Sequence, residues 1–395
     1  MRGWKITILL FILTLSLGLK GQRILVFDLK NKTIDTLKGV NFDPSITQEF
    51  TNHSFGSLNK NAANLKVDIP QENVYPEGHF IKRKKAASDY NVNEYPLRTS
   101  LKLYSWANNT LSSTCSGSMI SRRHMLTATH CVALLEKDIL KHDSFFISPA
   151  FDNGSMNSEY KSSWASKVYF FQNWTLENDF TIIELEDPIG DETGWLGIGF
   201  NSNDEELLNG NFYKFSYPQV NNIKHLDDTP YNGDTLYYYY GKANYTSKNS
   251  IMVRNAVAIP GESGSSLIKV ENNEKYVSFG VLTYAVHLNH SRIKNWNYYN
   301  LKNIIKNDID DPIGNHSQFK RTEYNRPLIS NIDLDNNPTQ VMRSILIYDK
   351  YGNLVLNQFV NNTMLNLDLS HLPKGTYTAI IEYTNNKILR SSIDL

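Results

Sequence analysis

Between about Tyr95 and Ile309, apolar and polar positions alternate in many short runs that are rich in β-branched and aromatic residues. Asn, Gly, Asp and Ser separate these runs, and such residues favour turns. This pattern is typical of an antiparallel barrel or a β-sandwich. Only two stretches predict helix, CVALLEKDIL after His130 and NLKNIIKNDI from Asn300 to Ile309. The pattern therefore predicts an all-β domain over residues 89–309 that ends in a short helix.

The first residues have a different pattern. Arg2 and Lys5 precede an apolar run that is followed by small residues. This order predicts a secretory signal peptide over residues 1–21, which is too short to form a stable membrane-spanning helix. Cleavage after Gly18 and cleavage after Gly21 both stay open. Since no later stretch is apolar enough to cross a bilayer, we expect no transmembrane segment in the mature chain.

The regions beside the central domain mix polar and apolar residues. Residues 22–88 end in a basic cluster, Lys82 to Lys85, which predicts a prosegment with a cleavable boundary. An ordinary solvated charge run in a surface loop is the alternative. Residues 310–327 form a polar linker. Residues 328–395 again alternate, with turn signals at DKYGN and LPKGTY, and they predict a second, smaller β-sandwich.

Composition narrows the possible functions of the chain. Among 395 residues, 41% are hydrophobic, and the 40 basic and 40 acidic residues cancel to a net charge of zero. No basic stripe is present, so a nucleic-acid partner is not expected. The sequence has no metal-ligand spacing and no phosphate-binding loop, and it therefore predicts neither a metal site nor a cofactor.

The chain contains two cysteines, Cys115 and Cys131. The export signal would bring them to an oxidising compartment, where they can pair, although two buried free thiols are the alternative. A disulfide would close a hairpin whose far end carries His130. For a loop of this length, the closure stabilises the fold by roughly 3 kcal/mol on the loop-entropy model.

The stretch GESGSSLI, from Gly261 to Ile268, contains the first candidate for chemistry. Gly and Ser are common in tight turns, so a simple turn before a strand is one interpretation. The other interpretation is that Ser263 is a nucleophile whose small neighbours let backbone N–H groups point at a developing oxyanion. A serine nucleophile needs a histidine base and a carboxylate that orients it. His130, at a strand end in TATHC, and Asp179, before the strand in NDFTIIEL, are the candidates.

These three blocks resemble the TAAHC, NDIALL and GDSGGP blocks of trypsin-like, chymotrypsin-fold serine proteases, in the same order. The resemblance implies a chymotrypsin-like double antiparallel β-barrel with the site in the cleft between the barrels. It also implies protein or peptide substrates and an acyl-enzyme intermediate. In that scheme His130 is the general base, Asp179 orients it and Ser263 is the nucleophile. The N–H groups of Gly261 and Ser263 form the oxyanion hole.

The chain also departs from animal trypsins. Glu262 stands where they have the aspartate that pairs with a freed N-terminal isoleucine, and no IVGG-like start occurs between Ala86 and Tyr95. These differences argue against activation of the animal type. The few cysteines and the SYP turn at Ser216 to Pro218 are more similar to bacterial members of the glutamyl-endopeptidase type.

Family alignment implies which residues line the pocket for the substrate side chain: Val257, Thr283, Tyr284 and Ala285. Val257 is apolar where trypsins have aspartate, which argues against cleavage after Lys or Arg. Leu282 lies in the stretch where glutamyl endopeptidases usually have a histidine, which argues against cleavage after Glu. A shifted register that uses His287 leaves Glu open. We expect an apolar or small residue before the scissile bond.

The C-terminal region shows a second resemblance. SILIYDKYGNLVL, then LDLSHLPKGTYTAIIEY and a basic segment with Lys387 and Arg390, resemble the type A sorting domain of the type IX secretion system in Bacteroidetes. This resemblance implies that the type IX machinery is a partner and that the protein crosses the outer membrane. The protein would then be secreted or displayed at the cell surface after removal of the domain. A generic immunoglobulin-like adhesion module is the alternative.

Together these patterns predict a secreted serine endopeptidase. Two alternatives stay open on the sequence alone. One is a binding protein on a protease fold that is catalytically inactive, and the other is a surface adhesin whose Ser and His blocks coincide by chance. The presence of His130, Asp179 and Ser263 together, in one order, favours the enzyme.

Overall fold

The computed structural model describes residues 23–40, 43–51, 80–107, 110–135, 137–220, 231–254, 256–271, 275–284, 287–306, 342–348, 354–362, 373, 375–383 and 388–394. The predicted signal peptide and the predicted linker at 310–327 lie outside these residues. The bounds that follow refer to the described part of the chain.

Strands make up most of the described structure. They are β1 (Arg23–Asp28), β2 (Thr33–Lys38), β3 (Gln48–Phe50), β4 (Lys84–Lys85), β5 (Ser100–Ala107), β6 (Thr110–Met119), β7 (His124–Thr127), β8 (Ser144–Pro149), β9 (Ser163–Phe171), β10 (Thr181–Leu185), β11 (Gly197–Asn201), β12 (Phe212–Ser216), β13 (Gln219–Val220), β14 (Tyr231–Asn232), β15 (Tyr237–Gly241), β16 (Tyr245–Thr246), β17 (Ser250–Val253), β18 (Ser266–Glu271), β19 (Lys275–Tyr284), β20 (Leu288–Arg292), β21 (Met342–Tyr348), β22 (Leu354–Asn362), β23 (Thr376–Tyr383) and β24 (Ile388–Asp394).

Helices are short. The α-helices are Ala86–Asp89, Gly190–Thr193, Asp204–Leu208 and Asn295–Ile304, and the 3₁₀-helices are Leu97–Thr99, Thr129–Cys131 and Leu176–Asn178.

Six strands close into an antiparallel barrel in the order β5, β6, β7, β10, β9, β8 and back to β5. Closure removes the unpaired edges that an open sheet would expose. Apolar side chains fill the interior, and Met119, Leu126, Val168 and Ile182 are fully buried. Burial of each such side chain stabilises the fold by about 1.5–3 kcal/mol. The barrel is therefore a rigid support for the loops that leave it.

The second sheet runs in the order β16, β17, β20, β19, β18, β12, β15, β4. Strand β11 pairs in parallel with β19, and β3 pairs with β11. Within the described residues this sheet stays open, so it is a half-barrel. Its core includes Phe212, Ile251, Leu267 and Phe279, all buried.

Parts of the predicted prosegment belong to these two sheets. Strand β1 pairs with β9 of the closed barrel, from Ile24 opposite Phe171 to Asp28 opposite Lys167. Strand β4 is the outer strand of the half-barrel and pairs with β15. Removal of residues 22–88 stays a prediction, but the described part of that region packs on the rest of the chain.

One predicted helix is wrong. After the 3₁₀-helix Thr129–Cys131 the described residues 132–135 and 137–140 form no helix. Leu134 N donates to Ile139 O at 3.0 Å and Lys141 N donates to Val132 O at 3.0 Å, which are loop hydrogen bonds. Val132 and Ala133 are buried in the core, but Leu134 and Ile139 are 40% and 56% exposed. The apolar residues therefore do not form one continuous buried face. Without a buried face, a short helix has little to stabilise it.

The other predicted helix is present with different bounds. It spans Asn295–Ile304, so it begins and ends about one turn earlier than Asn300–Ile309. The side chain of Asn297 accepts a hydrogen bond from Lys294 N at 2.8 Å, which caps the first turn. Tyr298 and Leu301 are buried against the closed barrel.

The C-terminal strands form an antiparallel arrangement in the order β22, β21, β23, β24. Leu346 and Ile380 pack in one apolar cluster with Tyr104, Trp106 and Phe146 of the closed barrel. The structure confirms the predicted all-β class, with a closed barrel, a half-barrel and a C-terminal β-domain. Among the described residues, no helix has both the length and the apolar character needed to cross a bilayer.

Candidate active site

The closed barrel positions His130 and Asp179. His130 lies in the 3₁₀-helix that follows β7, and Asp179 lies between the 3₁₀-helix Leu176–Asn178 and β10. Thr175 caps this second turn, since its hydroxyl accepts from Glu177 N at 3.3 Å. Strands β7 and β10 are paired, and Thr127 lies opposite Thr181. The end of β7 and the start of β10 therefore bring the side chains of His130 and Asp179 together.

The carboxylate of Asp179 is fully buried and holds His130 in one orientation. Its Oδ2 accepts from His130 Nδ1 at 2.6 Å, and its Oδ1 accepts from the His130 backbone N–H at 2.9 Å. The hydroxyl of Thr283 donates a short hydrogen bond to the same Oδ2. With Nδ1 as a donor, a neutral ring has its lone pair on Nε2, the atom that can accept a proton.

Ser263 lies in the half-barrel, in the loop that enters β18. The glycines on either side, Gly261 and Gly264, have φ of +86° and +85°, a region that favours glycine. A Cβ at Gly264 would lie 2.1 Å from Thr127 Oγ1, and one at Gly261 would lie 2.4 Å from Tyr217 O. The small residues around Ser263 are therefore required by both backbone conformation and space.

Ser116 on β6 connects this loop to the closed barrel. Its N–H donates to Ser263 O at 2.8 Å, and its hydroxyl donates to Gly261 O at 2.8 Å and accepts from Tyr217 N at 2.9 Å. These bonds fix the backbone on both sides of Glu262. Ser116 was not predictable from the sequence, because its partners lie about a hundred residues or more along the chain.

The N–H groups of Gly261 and Ser263 have no protein acceptor within the described residues. They are thus available to a ligand oxygen. Ser263 and His130 line the same cleft, and no direct hydrogen bond joins their side chains in the described structure. Such bonds are commonly long without substrate and tighten when it binds.

The cleft has a volume of about 480 Å³ and is mainly apolar. Its lining includes Leu134 and Leu176 on one side and Ala258, Ile259 and Leu282 on the other. No carboxylate is among the described residues that line it.

The residues predicted for the substrate pocket lie in different places. Thr283 lines the cleft, although its hydroxyl is bonded to Asp179. Val257 is half-buried beside the cleft, and its carbonyl accepts from Arg83. The side chain of Tyr284 and the whole of Ala285 lie outside the described residues. Their role as pocket residues stays a prediction.

One cation lies next to the predicted base. Lys141 lines the cleft, and its Nζ donates a short hydrogen bond to the His130 carbonyl. Burial lowers the pKa of Lys141, against the attraction of the Asp179 carboxylate. This lysine helps to hold the backbone of His130 in place.

Cys115 and Cys131 form a disulfide, as predicted. The bond joins β6 to the turn that carries His130, and it closes a loop with a sequence separation of 16.

A double Cys115→Ala, Cys131→Ala variant should lose about 3 kcal/mol of unfolding free energy because its unfolded chain gains freedom. Urea unfolding of the variant and the wild type measures this difference. Equal unfolding free energies would show that the bond does not stabilise the fold.

The fold joins a closed barrel and a half-barrel, and His130 and Ser263 line one cleft. The family described as Trypsin matches residues 86–300, more than half of the chain, so the chain belongs to the trypsin family. Residues 324–393 match the family described as secretion system C-terminal sorting domain. The protein is thus a peptidase with a C-terminal domain for type IX secretion.

Solved structures include similar chains. A Glu endopeptidase in complex with MPD is 18% identical with a TM-score of 0.45, covering 56% of this chain and 95% of that one. The protease Anisep from Arthrobacter nicotinovorans is 17% identical with a TM-score of 0.42, covering 56% of this chain and 100% of that one. No curated protein sequence matches the chain.

Proposed function

We propose that the protein is a secreted serine endopeptidase that cuts peptide bonds through Ser263, His130 and Asp179. The observation that carries this proposal is the buried Asp179 carboxylate, which holds Nδ1 of a histidine that shares one cleft with Ser263. A carboxylate, a histidine and a serine in this relation perform acyl transfer in serine hydrolases.

The reaction has two halves. In the first, Nε2 of His130 takes the proton of the Ser263 hydroxyl while Oγ attacks the carbonyl carbon of the substrate. The carbonyl oxygen becomes an oxyanion and accepts hydrogen bonds from the N–H groups of Gly261 and Ser263. His130 then gives its proton to the leaving amine, the C–N bond breaks, and an acyl-enzyme is left on Ser263.

In the second half, water replaces the amine. His130 takes a proton from the water as its oxygen attacks the ester carbon, and the oxyanion forms again in the same place. Collapse breaks the bond to Oγ, which regains its proton from His130, and the acid product leaves. Asp179 stabilises the imidazolium in both halves through the bond to Nδ1.

Digestion of a denatured proteome tests the activity. Wild-type protein should produce new peptide ends inside protein sequences, and treatment with a fluorophosphonate should suppress them. Ends produced at equal rates after complete labelling would contradict a serine mechanism. A folded protein that produces none would favour the inactive, protease-fold binding protein.

We expect cleavage after apolar or small residues. Ala258, Ile259 and Leu282 line the cleft next to Ser263, and a charged side chain packed against these three apolar residues would lose its water without a partner among them. Among matched peptides that differ only in the residue before the scissile bond, the Leu peptide should have a kcat/KM about 100-fold higher than that of the Glu or the Lys peptide. Mass spectrometry of the products measures this preference. Faster cleavage after Glu would instead support the register that uses His287.

The proposed export of the protein involves its N-terminal and C-terminal regions. We propose that the signal peptide at 1–21 directs the first membrane crossing and that the sorting domain directs passage through the type IX machinery. The match at residues 324–393 supports the second step. Secreted protein without the C-terminal domain is the expected mature form.

A further inference from the structure

A buried ion pair lies directly behind the loop that carries Ser263. Arg83 Nε and Nη2 donate to Glu262 Oε1 and Oε2, each at 2.8 Å. The side chain of Glu262 is completely buried, and that of Arg83 is 10% exposed. Burial raises the pKa of the Glu262 carboxyl, but the charge and hydrogen bonds of Arg83 outweigh it, so the pKa lies below its ordinary value.

The carboxylate ties together the backbone around the nucleophile. Glu262 Oε2 accepts from Ile259 N at 2.8 Å, and Oε1 accepts from Ser216 Oγ at 3.0 Å and from Tyr239 OH at 2.9 Å. Arg83 adds a short bond from Nη2 to Val257 O. The bidentate contact between Arg83 and Glu262 therefore connects Val257 and Ile259, which precede Gly261, to Glu262, the residue before Ser263.

The segment that carries Arg83 pairs with the half-barrel. Residues 80–86 run along β15, where Ile81 N donates to Tyr240 O at 2.9 Å and Ala86 N donates to Leu236 O at 2.8 Å. The guanidinium of Arg83 lies 4.5 Å from the ring centroid of Tyr239. Of the four residues in the basic cluster, Arg83 is thus built into the fold, whereas Lys84 and Lys85 are exposed.

We propose that Arg83 is a positioning residue for the oxyanion hole. Its side chain, rather than a freed N-terminus, supplies the positive charge that orients Glu262. Glu262 in turn orients the N–H groups of Gly261 and Ser263. No freed N-terminus is then needed, and a cut that releases Arg83 inactivates the protein. This proposal therefore opposes the predicted removal of residues 22–88, which contain Arg83. This inference rests on the proposed serine endopeptidase activity.

Other ionisable groups also face Glu262. Tyr239 donates to it, and Lys214 lies near enough to attract it. Lys214 Nζ donates to Ser265 Oγ at 2.6 Å and lies 3.2 Å from His290 Nε2. Burial and the repulsive charge of Arg83 lower the pKa of Lys214 to about 7, against the attraction of Glu262. Lys214 is therefore neutralised close to physiological pH, whereas Arg83 stays charged.

The test compares Arg83→Met with the wild type and with Lys84→Ala, a matched control on an exposed neighbour. Because the oxyanion hole acts in the transition state, Arg83→Met should lower kcat by about 10²–10³-fold and leave KM nearly unchanged. Lys84→Ala should keep full activity. Circular dichroism shows whether each variant is folded.

The pH profile separates positioning from a purely structural role. In Arg83→Met, Lys214 is the cation left to face Glu262, and loss of the repulsive Arg83 charge should raise the pKa of Lys214 above its wild-type value of about 7. The kcat should therefore fall as the pH rises through this higher Lys214 pKa. Wild-type kcat should stay level there. An Arg83→Met, Glu262→Gln double variant has no buried carboxylate to balance, so it should regain both the fold and most of kcat, with a level profile.

Hydrolysis by the wild type tests the proposed activity, and the difference between the wild type and Arg83→Met tests the positioning role of Arg83. If the wild type hydrolyses peptides and Arg83→Met matches it at every pH, the positioning role is wrong and the endopeptidase stands. An equal loss in the folded single and double variants, without the alkaline decline, would also overturn it. Intact-mass analysis of fluorophosphonate-labelled wild type should find Arg83 in the active chain, and active chains that all begin after residue 83 would contradict it.

Discussion

Replacement of Ser263 with alanine is expected to abolish peptide hydrolysis, with kcat falling by about 10⁶-fold. The variant loses the only oxygen that can form the acyl-enzyme. The loop should keep its conformation, because the bonds from Ser116 reach the backbone oxygens of Gly261 and Ser263 rather than the lost hydroxyl. Steady-state hydrolysis of a peptide ester and circular dichroism measure the two effects.

The matched control is Ser266→Ala, at the start of β18. The Ser266 hydroxyl is buried without a hydrogen-bond partner in the described structure, so its removal should leave both activity and fold intact. Undiminished peptidase activity in Ser263→Ala would contradict the assignment of the nucleophile. Equal losses in both variants would point to a packing defect instead.

Replacement of Asp179 with asparagine is expected to lower kcat by about 10⁴-fold at neutral pH. The amide has nearly the same shape, but its NH₂ group would face Nδ1 of His130 and favour the tautomer that carries the proton on Nε2. Substrate binding should barely change. Some activity should return at high pH, where a deprotonated nucleophile partly replaces the base.

A pH–rate series on Asp179→Asn, beside Glu177→Gln, measures this effect. Glu177 lies two residues earlier, and its side chain bonds to Asn249 rather than to His130, so the control should retain wild-type kcat. Wild-type kcat in Asp179→Asn at neutral pH would mean that Asp179 has only a structural role in the turn before β10.

The sequence predicted the features that depend on local pattern. The alternating runs indicated the strands, and the blocks around His130, Asp179 and Ser263 placed the site residues at strand ends. The structure brings His130 and Asp179 into contact because β7 and β10 are neighbours in the barrel. The disulfide was predictable because Cys115 and Cys131 have no other possible partner in the chain.

Features that depend on tertiary contacts were not predictable in the same way. The stretch after Cys131 has a helical pattern, yet its loop hydrogen bonds and exposed leucines make it one wall of the cleft. Thr283 was predicted as a pocket residue, but its hydroxyl also supports Asp179, 104 positions away. Such a contact leaves no periodic signal in the sequence.

The pairing of Arg83 with Glu262 is another tertiary contact that the sequence did not predict. In the sequence, Glu262 argued only against activation of the animal type, and the basic cluster predicted a cleavable boundary, so no pairing between them was predicted. Only the path of residues 80–86 along β15 shows which of the four is buried. The tertiary structure therefore identifies Arg83 as the cation that pairs with Glu262.

The most direct test of the central claim is to locate the adduct of a fluorophosphonate probe in the wild-type protein. Such a probe reacts with a serine that a nearby base activates. Peptide mass spectrometry should find one adduct, on Ser263, which is absent in Ser263→Ala and forms far more slowly in Asp179→Asn. A folded wild-type protein that cleaves peptides while Ser263 stays unmodified, or that carries the adduct on another residue, would contradict the account.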